Sequence, residues 1–417
     1  MAKRADEEQS GALAGVRLVE FSSAMAGPWI GRFMAWCGAE VIRVESRGYP
    51  DVVRLYVSPR APEQGTQPQG SPWFTDWNAG KRFVALDLRN PQGVELAKRL
   101  VARADVVVEN QAAGVLDRLG LGYTDLRRIK PDLVHLSSSG YGDTGPDRSY
   151  VSWGPNIETL SGLSGISGFA DSPCTNTQFA YPDTASALHG LFAVMCALDH
   201  RERTGQGQHI SLSQLESTVS LIGPLVAAAR VEGREPAKLG NRSPDSAPSG
   251  CYPCRGDDRW VAISVEDEAG WRSLCRALAR PDWLEDPALG SSSGRTEHAD
   301  LIDAGIAAWT RERDAYEVMH ALQAAGVAAG VVQNVEDLAL RDRQLEARGF
   351  FETIPHSLRG EVRATGIPLG LTGTPGRSGL AGAALGQDNA YVFGELLGMS
   401  DDEIGRAIRA GAIETQV

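Results

Sequence analysis

Gly15-Val16-Arg17-Leu18-Val19-Glu20-Phe21 leads through Ala26-Gly27-Pro28 to Glu40-Val41-Ile42-Arg43-Val44-Glu45, and this stretch decides the fold. Residues 16–21 and 40–45 are rich in branched apolar side chains and read as buried strands. Gly27-Pro28 opens a helix that runs through Met34 and Trp36 and closes near Gly38. Strand, helix and strand within thirty residues make a βαβ unit, and a βαβ unit requires a parallel sheet.

The alternation continues outward. Residues 82–88 read as a strand. Asn90-Pro91 then starts a helix, with Asn as cap and Pro at the first helical position. Residues 105–109 are the next strand. A short helix after Thr124 cannot pass Pro131, and residues 132–137 form a further strand. This alternation predicts an open, doubly wound α/β domain. The segment 138–182 is rich in Ser, Gly and Pro and reads as one long functional loop. A long helix follows over about 184–203 and ends at Gly205. Residues 208–212 read as a strand, and 213–230 as a helix disturbed by Gly223-Pro224. Residues 233–250 read as a linker. A strand over 259–265, helical stretches through Leu278, a helix near 315–325 and a strand over 327–332 form a smaller α+β unit. Strand-like 361–367 and a helix near 401–410 complete the chain.

The whole chain of 417 residues carries a formal net charge of -12, with 42% hydrophobic and 23% charged residues. That is the balance of a globular protein able to bury its own core. The acidic surplus argues against a nucleic-acid partner, which needs clustered cations. No apolar run is long enough to span a membrane. Residues 1–10 lack an apolar signal core, and the six cysteines are scattered, so a reducing cytoplasm is expected. Cys251 and Cys254 form a single CxxC without a second ligand pair, and they read as small residues in a strand or turn. No metal site is expected. Gly-x-Ser-x-Gly, HExxH and Walker A motifs are absent, and the seven histidines are dispersed.

Three features could hold a ligand or do chemistry. The turn from Ser22 to Pro28 leaves a strand and opens a helix, where backbone N–H groups face an anion. Arg43, Arg47, Arg54, Lys81, Arg82, Arg89 and Arg118 gather at strand ends, and by spacing alone they read as a solvated face. Asp183, in Tyr181-Pro182-Asp183-Thr184, stands where the long helix begins. It reads first as a helix cap, and the same geometry also suits a carboxylate kept ionised by the helix dipole.

Several stretches together resemble the family III CoA-transferases, the group of formyl-CoA transferase, carnitine CoA-transferase and the α-methylacyl-CoA racemases. They are the opening segment above, Asn78-Ala79-Gly80-Lys81-Arg82-Phe83, Ala104 to Asn110, Arg201 to Gln208 and Leu385-Gly386-Gln387-Asp388. The resemblance runs from about Gly15 to the C-terminus. It implies a Rossmann-like large domain over 1–232, a smaller domain over 233–334, and a segment 335–417 returning to the large domain. It also implies two chains interlocked like links, as a homodimer or as a hetero-oligomer with a related chain. No tightly bound cofactor is implied, and a coenzyme A thioester is the substrate. Asp183 matches the family's nucleophile. Met25 and Ala26 match its active-site turn, and Leu86, Asp87, Arg89, Asn110 and Arg118 match positions that contact CoA.

Some departures narrow the chemistry. Formyl-CoA transferase has Gln at the position of Met25, an active-site Glu near Pro155, and a glycine flap where this chain has only Ser249-Gly250. Met25, Trp153 and the polar stretch 172–178 predict a roomier, less polar pocket. The racemases' acid/base pair is missing at Pro155-Asn156-Ile157-Glu158. The expected reaction is therefore CoA transfer from a succinyl-CoA-type donor to an organic acid. Racemisation or isomerisation of an acyl-CoA, and intramolecular CoA transfer, are the alternatives.

Overall fold

A computed structural model describes residues 11–55, 71–357, 359–382 and 384–415. The expectation about export rests on residues 1–10, which lie outside the described residues. Among the described residues, no helix is long and apolar enough to cross a membrane. The chain forms two compact units. One gathers the chain up to Leu163, Asn176–Ala227 and the chain from Leu345; the other gathers Ser164–Thr175 and Ala228–Gln344.

The first unit is built on a parallel sheet of six strands among the described residues. They are β1 (Arg17–Phe21), β2 (Glu40–Glu45), β3 (Arg82–Ala85), β4 (Val106–Glu109), β5 (Val134–Ser139) and β6 (Gln208–Ser213), in the order β3-β2-β1-β4-β5-β6. This is the doubly wound dinucleotide-fold order, and its strand sequence reverses direction between β1 and β4. Val19 pairs with Ile42 on one side and with Val107 on the other, which makes β1 the centre. Its helices include α1 (Ala26–Trp36), α2 (Pro91–Val101) and α3 (Tyr181–Thr204).

Each sheet face has its own core. Leu18, Val41, Val106, Val134 and Leu136 pack with Ile30 and Met34 of α1 and Val194 and Ala197 of α3. Val19, Ile42, Val84 and Val107 pack with Leu96 and Leu100 of α2 and with Val392, Phe393 and Ile413. Local sequence explains the helix ends. Asn90 accepts a hydrogen bond from the Gln92 N–H at 2.9 Å, with Pro91 next in line. Gly205 closes α3 at φ +71, a conformation that favours glycine.

The second unit holds an antiparallel sheet of β7 (Ser249–Pro253), β8 (Trp260–Ser264) and β9 (Ala328–Val332). Its core joins Val261 and Ile263 to Trp271, Leu274, Ile302 and Leu322. Cys251 lies in β7, and Cys254 is buried just beyond it. Burial pushes both thiols above their usual range.

Three expectations change. The segment 138–182 is not one irregular loop, because it contains helices Gly154–Leu160 and Leu163–Ile166. Residues 213–230 form two helices, Gln214–Leu221 and Gly223–Glu232, since Pro224 lacks the N–H needed to carry one helix through. α3 starts at Tyr181 rather than 184, with Pro182 in its first turn.

Candidate active site

In folds of this kind ligands sit beyond the carboxyl ends of the strands, where the order reverses. Here that point joins the turn after β1 to the residues after β4. The turn is tightly clamped. Ser23 donates its N–H to Asn110 Oδ1 at 2.8 Å, and Asn110 Nδ2 donates back to the Ser23 carbonyl at 2.8 Å. Both Asp51 oxygens accept from the Ala24 N–H at 3.2 Å. Ala24 is thereby held at φ +61, which an alanine seldom adopts unaided. Gly27 is required beside it, since a Cβ there would stand 2.4 Å from Ser22 Cβ.

A buried charge network lies under the turn. Arg43 pairs with Asp51 and lies 3.3 Å from Glu20, and its guanidinium donates to the Ser22 carbonyl at 2.9 Å. Lys81 Nζ donates to Glu20, to Asn78 Oδ1 at 2.8 Å and to the Pro28 carbonyl at 2.7 Å. Arg54 forks onto Glu45 at 2.9 and 2.7 Å. Burial lowers Lys81 to about 8, against the opposing pull of Glu20. Burial alone would raise Glu45, but Arg54 and Arg43 outweigh it and hold it at about 2. The solvated-face reading therefore fails for Arg43, Arg54 and Lys81, each at most 2% exposed. They hold the shape of the turn.

Asp183 is the third residue of α3 and 9% exposed. Ala180 occupies the cap position, and no side chain caps this helix end, so the cap reading of Asp183 is corrected. Burial raises its carboxyl from 3.8 to about 6, while the N–H groups of Ala26 and of Asp183 itself pull the other way. Burial, not the helix dipole, dominates its titration. At neutral pH most molecules still carry the carboxylate. Gly154 stands against it: a Cβ there would lie 2.5 Å from Asp183 Oδ2 and 3.3 Å from Ala180 Cβ.

A cavity of about 150 Å³ is lined by Asp183, Gly154, Asn110, Ser138, Trp153 and Gln214, among others. It shares Ser23, Tyr49 and Gln111 with a larger, mainly apolar cavity of about 420 Å³. Leu86, Asp87 and Arg89 line that larger cavity. Arg89 is exposed and forks onto Asp87 at 3.0 Å through both Nε and Nη2. A buried carboxylate beside a small space, next to a wider apolar one, suits a long substrate with a reactive end.

A family model, CoA-transferase family III, matches residues 13–389. The chain belongs to that family. It is 32% identical over 392 residues to the succinyl-CoA--D-citramalate CoA-transferase of Chloroflexus aurantiacus, covering 94% of this chain and 96% of the relative. It is 28% identical over 384 residues to the succinate--glutarate CoA-transferase of Agrobacterium fabrum, covering 92% and 95%. The crystal structure of a CAIB/BAIF family protein from Brucella suis superposes with TM-score 0.85 at 28% identity, covering 93% of this chain and 100% of that one. As a family III CoA-transferase the protein is an enzyme whose substrates are CoA thioesters.

The structure sorts the expected CoA-transferase residues. Asp183 and Asn110 line the smaller cavity, the Ala26 N–H faces Asp183, and Leu86, Asp87 and Arg89 line the larger cavity. Met25 is buried and lines a different cavity of about 490 Å³, with Trp73, Trp77 and Phe179. Arg118 lines a polar cavity of about 480 Å³. There burial raises Glu109 to about 7 and lowers His135 to about 3, with neighbouring His209 adding to the latter. Sequence reasoning missed Gly154, Ser138 and Gln214. Ser138 carried one usable signal, its place at the carboxyl end of a strand; Gly154 carried none.

Proposed function

We propose that this CoA-transferase moves CoA from an acyl-CoA donor, succinyl-CoA in the first instance, to an organic-acid acceptor through covalent intermediates on Asp183. The observation that carries the reading is the buried Asp183 carboxylate, which faces the Ala26 N–H and lines a cavity that shares Ser23, Tyr49 and Gln111 with a wider one. Two relatives whose names pair succinyl-CoA or succinate with a second organic acid support the choice of donor.

The steps balance. An Asp183 carboxylate oxygen attacks the donor thioester carbon, and the C–S bond breaks to leave an acyl-aspartyl anhydride and CoA thiolate. The thiolate attacks the aspartyl carbonyl, releasing the donor acid and forming an aspartyl-CoA thioester. The acceptor carboxylate attacks that thioester and regenerates an anhydride and the thiolate. The thiolate then takes the new acyl group and frees Asp183. Splitting one transfer into such steps is nucleophilic catalysis. The Ala26 N–H is placed to stabilise charge on the aspartyl oxygen. The CoA nucleotide end takes the wider cavity, near Asp87 and Arg89.

Racemisation would need an acid/base pair beside the α-carbon. The residues following Gly154 offer none, and Glu158 is engaged by the Thr177 N–H at 2.7 Å and its hydroxyl at 3.2 Å. The same reading carries an interlocked homodimer, which a solution mass measurement checks. The decisive experiment is peptide mass spectrometry after incubation with succinyl-CoA, acetyl-CoA and an aryl-acyl-CoA, trapped with hydroxylamine. A hydroxamate on Asp183 supports the mechanism; a label on another residue, or none, overturns it.

A further inference from the structure

Strand β5 ends Val134-His135-Leu136-Ser137-Ser138-Ser139. Successive side chains of a strand point to opposite faces, so Val134, Leu136 and Ser138 share one. Val134 and Leu136 belong to the apolar core beneath α1 and α3. Leu212, the register partner of Ser138 on β6, packs on that core too. Ser138 is thus a hydroxyl at the end of an apolar row.

It is 1% exposed, and its Oγ has no hydrogen-bond partner among the described residues. Its neighbour Ser137, on the opposite face, pairs its hydroxyl with His209 Nε2 at 3.1 Å. Buried hydroxyls in folded proteins are nearly always paired. An unpaired one lining the cavity that holds Asp183 is a donor waiting for an oxygen in that cavity.

We propose that the Ser138 hydroxyl is a catalytic hydrogen-bond donor to the acyl carbonyl oxygen of the group being transferred. This rests on the Asp183 mechanism above. When Asp183 attacks the thioester, the acyl C=O becomes a C–O⁻ before the C–S bond breaks. Ser138 keeps its proton and donates a shorter, charge-assisted hydrogen bond to that oxyanion. The division of labour follows the geometry. The Ala26 N–H serves the aspartyl oxygen, and Ser138 serves the acyl oxygen.

The test is rapid-quench acylation of Asp183 by succinyl-CoA, acetyl-CoA and an aryl-acyl-CoA in the full-length protein. Wild type, Ser138→Ala and Ser138→Thr are compared, with calorimetric affinity for free CoA measured beside them. Loss of one oxyanion donor lowers the acylation rate by roughly 10²-fold. Ser138→Ala should show that loss with unchanged CoA affinity and melting temperature, and Ser138→Thr should recover at least a tenth of the wild-type rate. An alanine variant within three-fold of wild type, with Asp183 still labelled, overturns the Ser138 role and leaves the Asp183 mechanism standing. A rate loss accompanied by equal loss of CoA affinity and thermal stability assigns Ser138 a structural role and also overturns it. Wild type unlabelled at Asp183 by any donor overturns both.

Discussion

Asp183→Asn should abolish transfer and yet make the protein more stable at alkaline pH. The carboxyl titrates at about 6 in the folded chain against 3.8 for the free side chain, because it is buried. One pKa unit is worth about 1.4 kcal/mol, so keeping this charge buried costs about 3 kcal/mol once both states are ionised. The sign follows from where the protons sit. Below about pH 4 the carboxyl is protonated folded and unfolded, and it imposes no penalty. Between about 4 and 6 the unfolded chain ionises first, and stability falls. Above about 6 the penalty is complete. Asn is isosteric and neutral, and it escapes the penalty at every pH. Urea unfolding of both proteins at pH 4.5, 6 and 8 should show Asn ahead by about 1 kcal/mol at the lowest pH and by about 3 kcal/mol at the highest. If Asp183 acts as proposed, the wild-type kcat/KM should fall about tenfold per unit below pH 6, as its carboxylate takes up a proton. A stability difference independent of pH, or an asparagine variant less stable at pH 8, would show that the buried charge carries no such penalty.

Gly154→Ala should leave the fold intact and damage catalysis. Its Cβ would stand 2.5 Å from Asp183 Oδ2, and relieving that clash moves the carboxylate by about 1 Å, enough to cost roughly 10²-fold in kcat/KM. Steady-state kinetics with far-UV circular dichroism checks this, and near-wild-type activity would contradict it. Arg43→Ala strands Glu20 and Asp51 without their guanidinium. Removing one member of a buried ion network costs about 3–5 kcal/mol, so the urea midpoint should drop sharply or soluble protein should be lost; a change below about 1 kcal/mol would count against the network's role in holding the turn.

Local sequence was enough for most of the sheet. Val, Ile and Leu runs marked β1, β2, β4 and β5, and Asn90-Pro91 placed the start of α2, because a run of branched apolar residues and an Asn-Pro helix start are signals carried by neighbours in the chain. The resemblance picked out Asp183 where spacing alone favoured a helix cap. Tertiary structure decided the rest, because burial and pairing depend on residues distant in sequence. Arg43 and Arg89 look alike in the sequence, yet one is sealed against Glu20 and Asp51 and the other lies exposed beside Asp87. Nothing in Tyr181-Pro182-Asp183-Thr184 foretells a carboxyl at about 6; that value comes from burial in the folded chain, against the downward pull of the Ala26 N–H in the turn after β1. Gly154 and Ser138 matter for the same reason. The chain order gives each an unremarkable neighbourhood, and only the folded sheet brings both to the cavity that Asp183 lines.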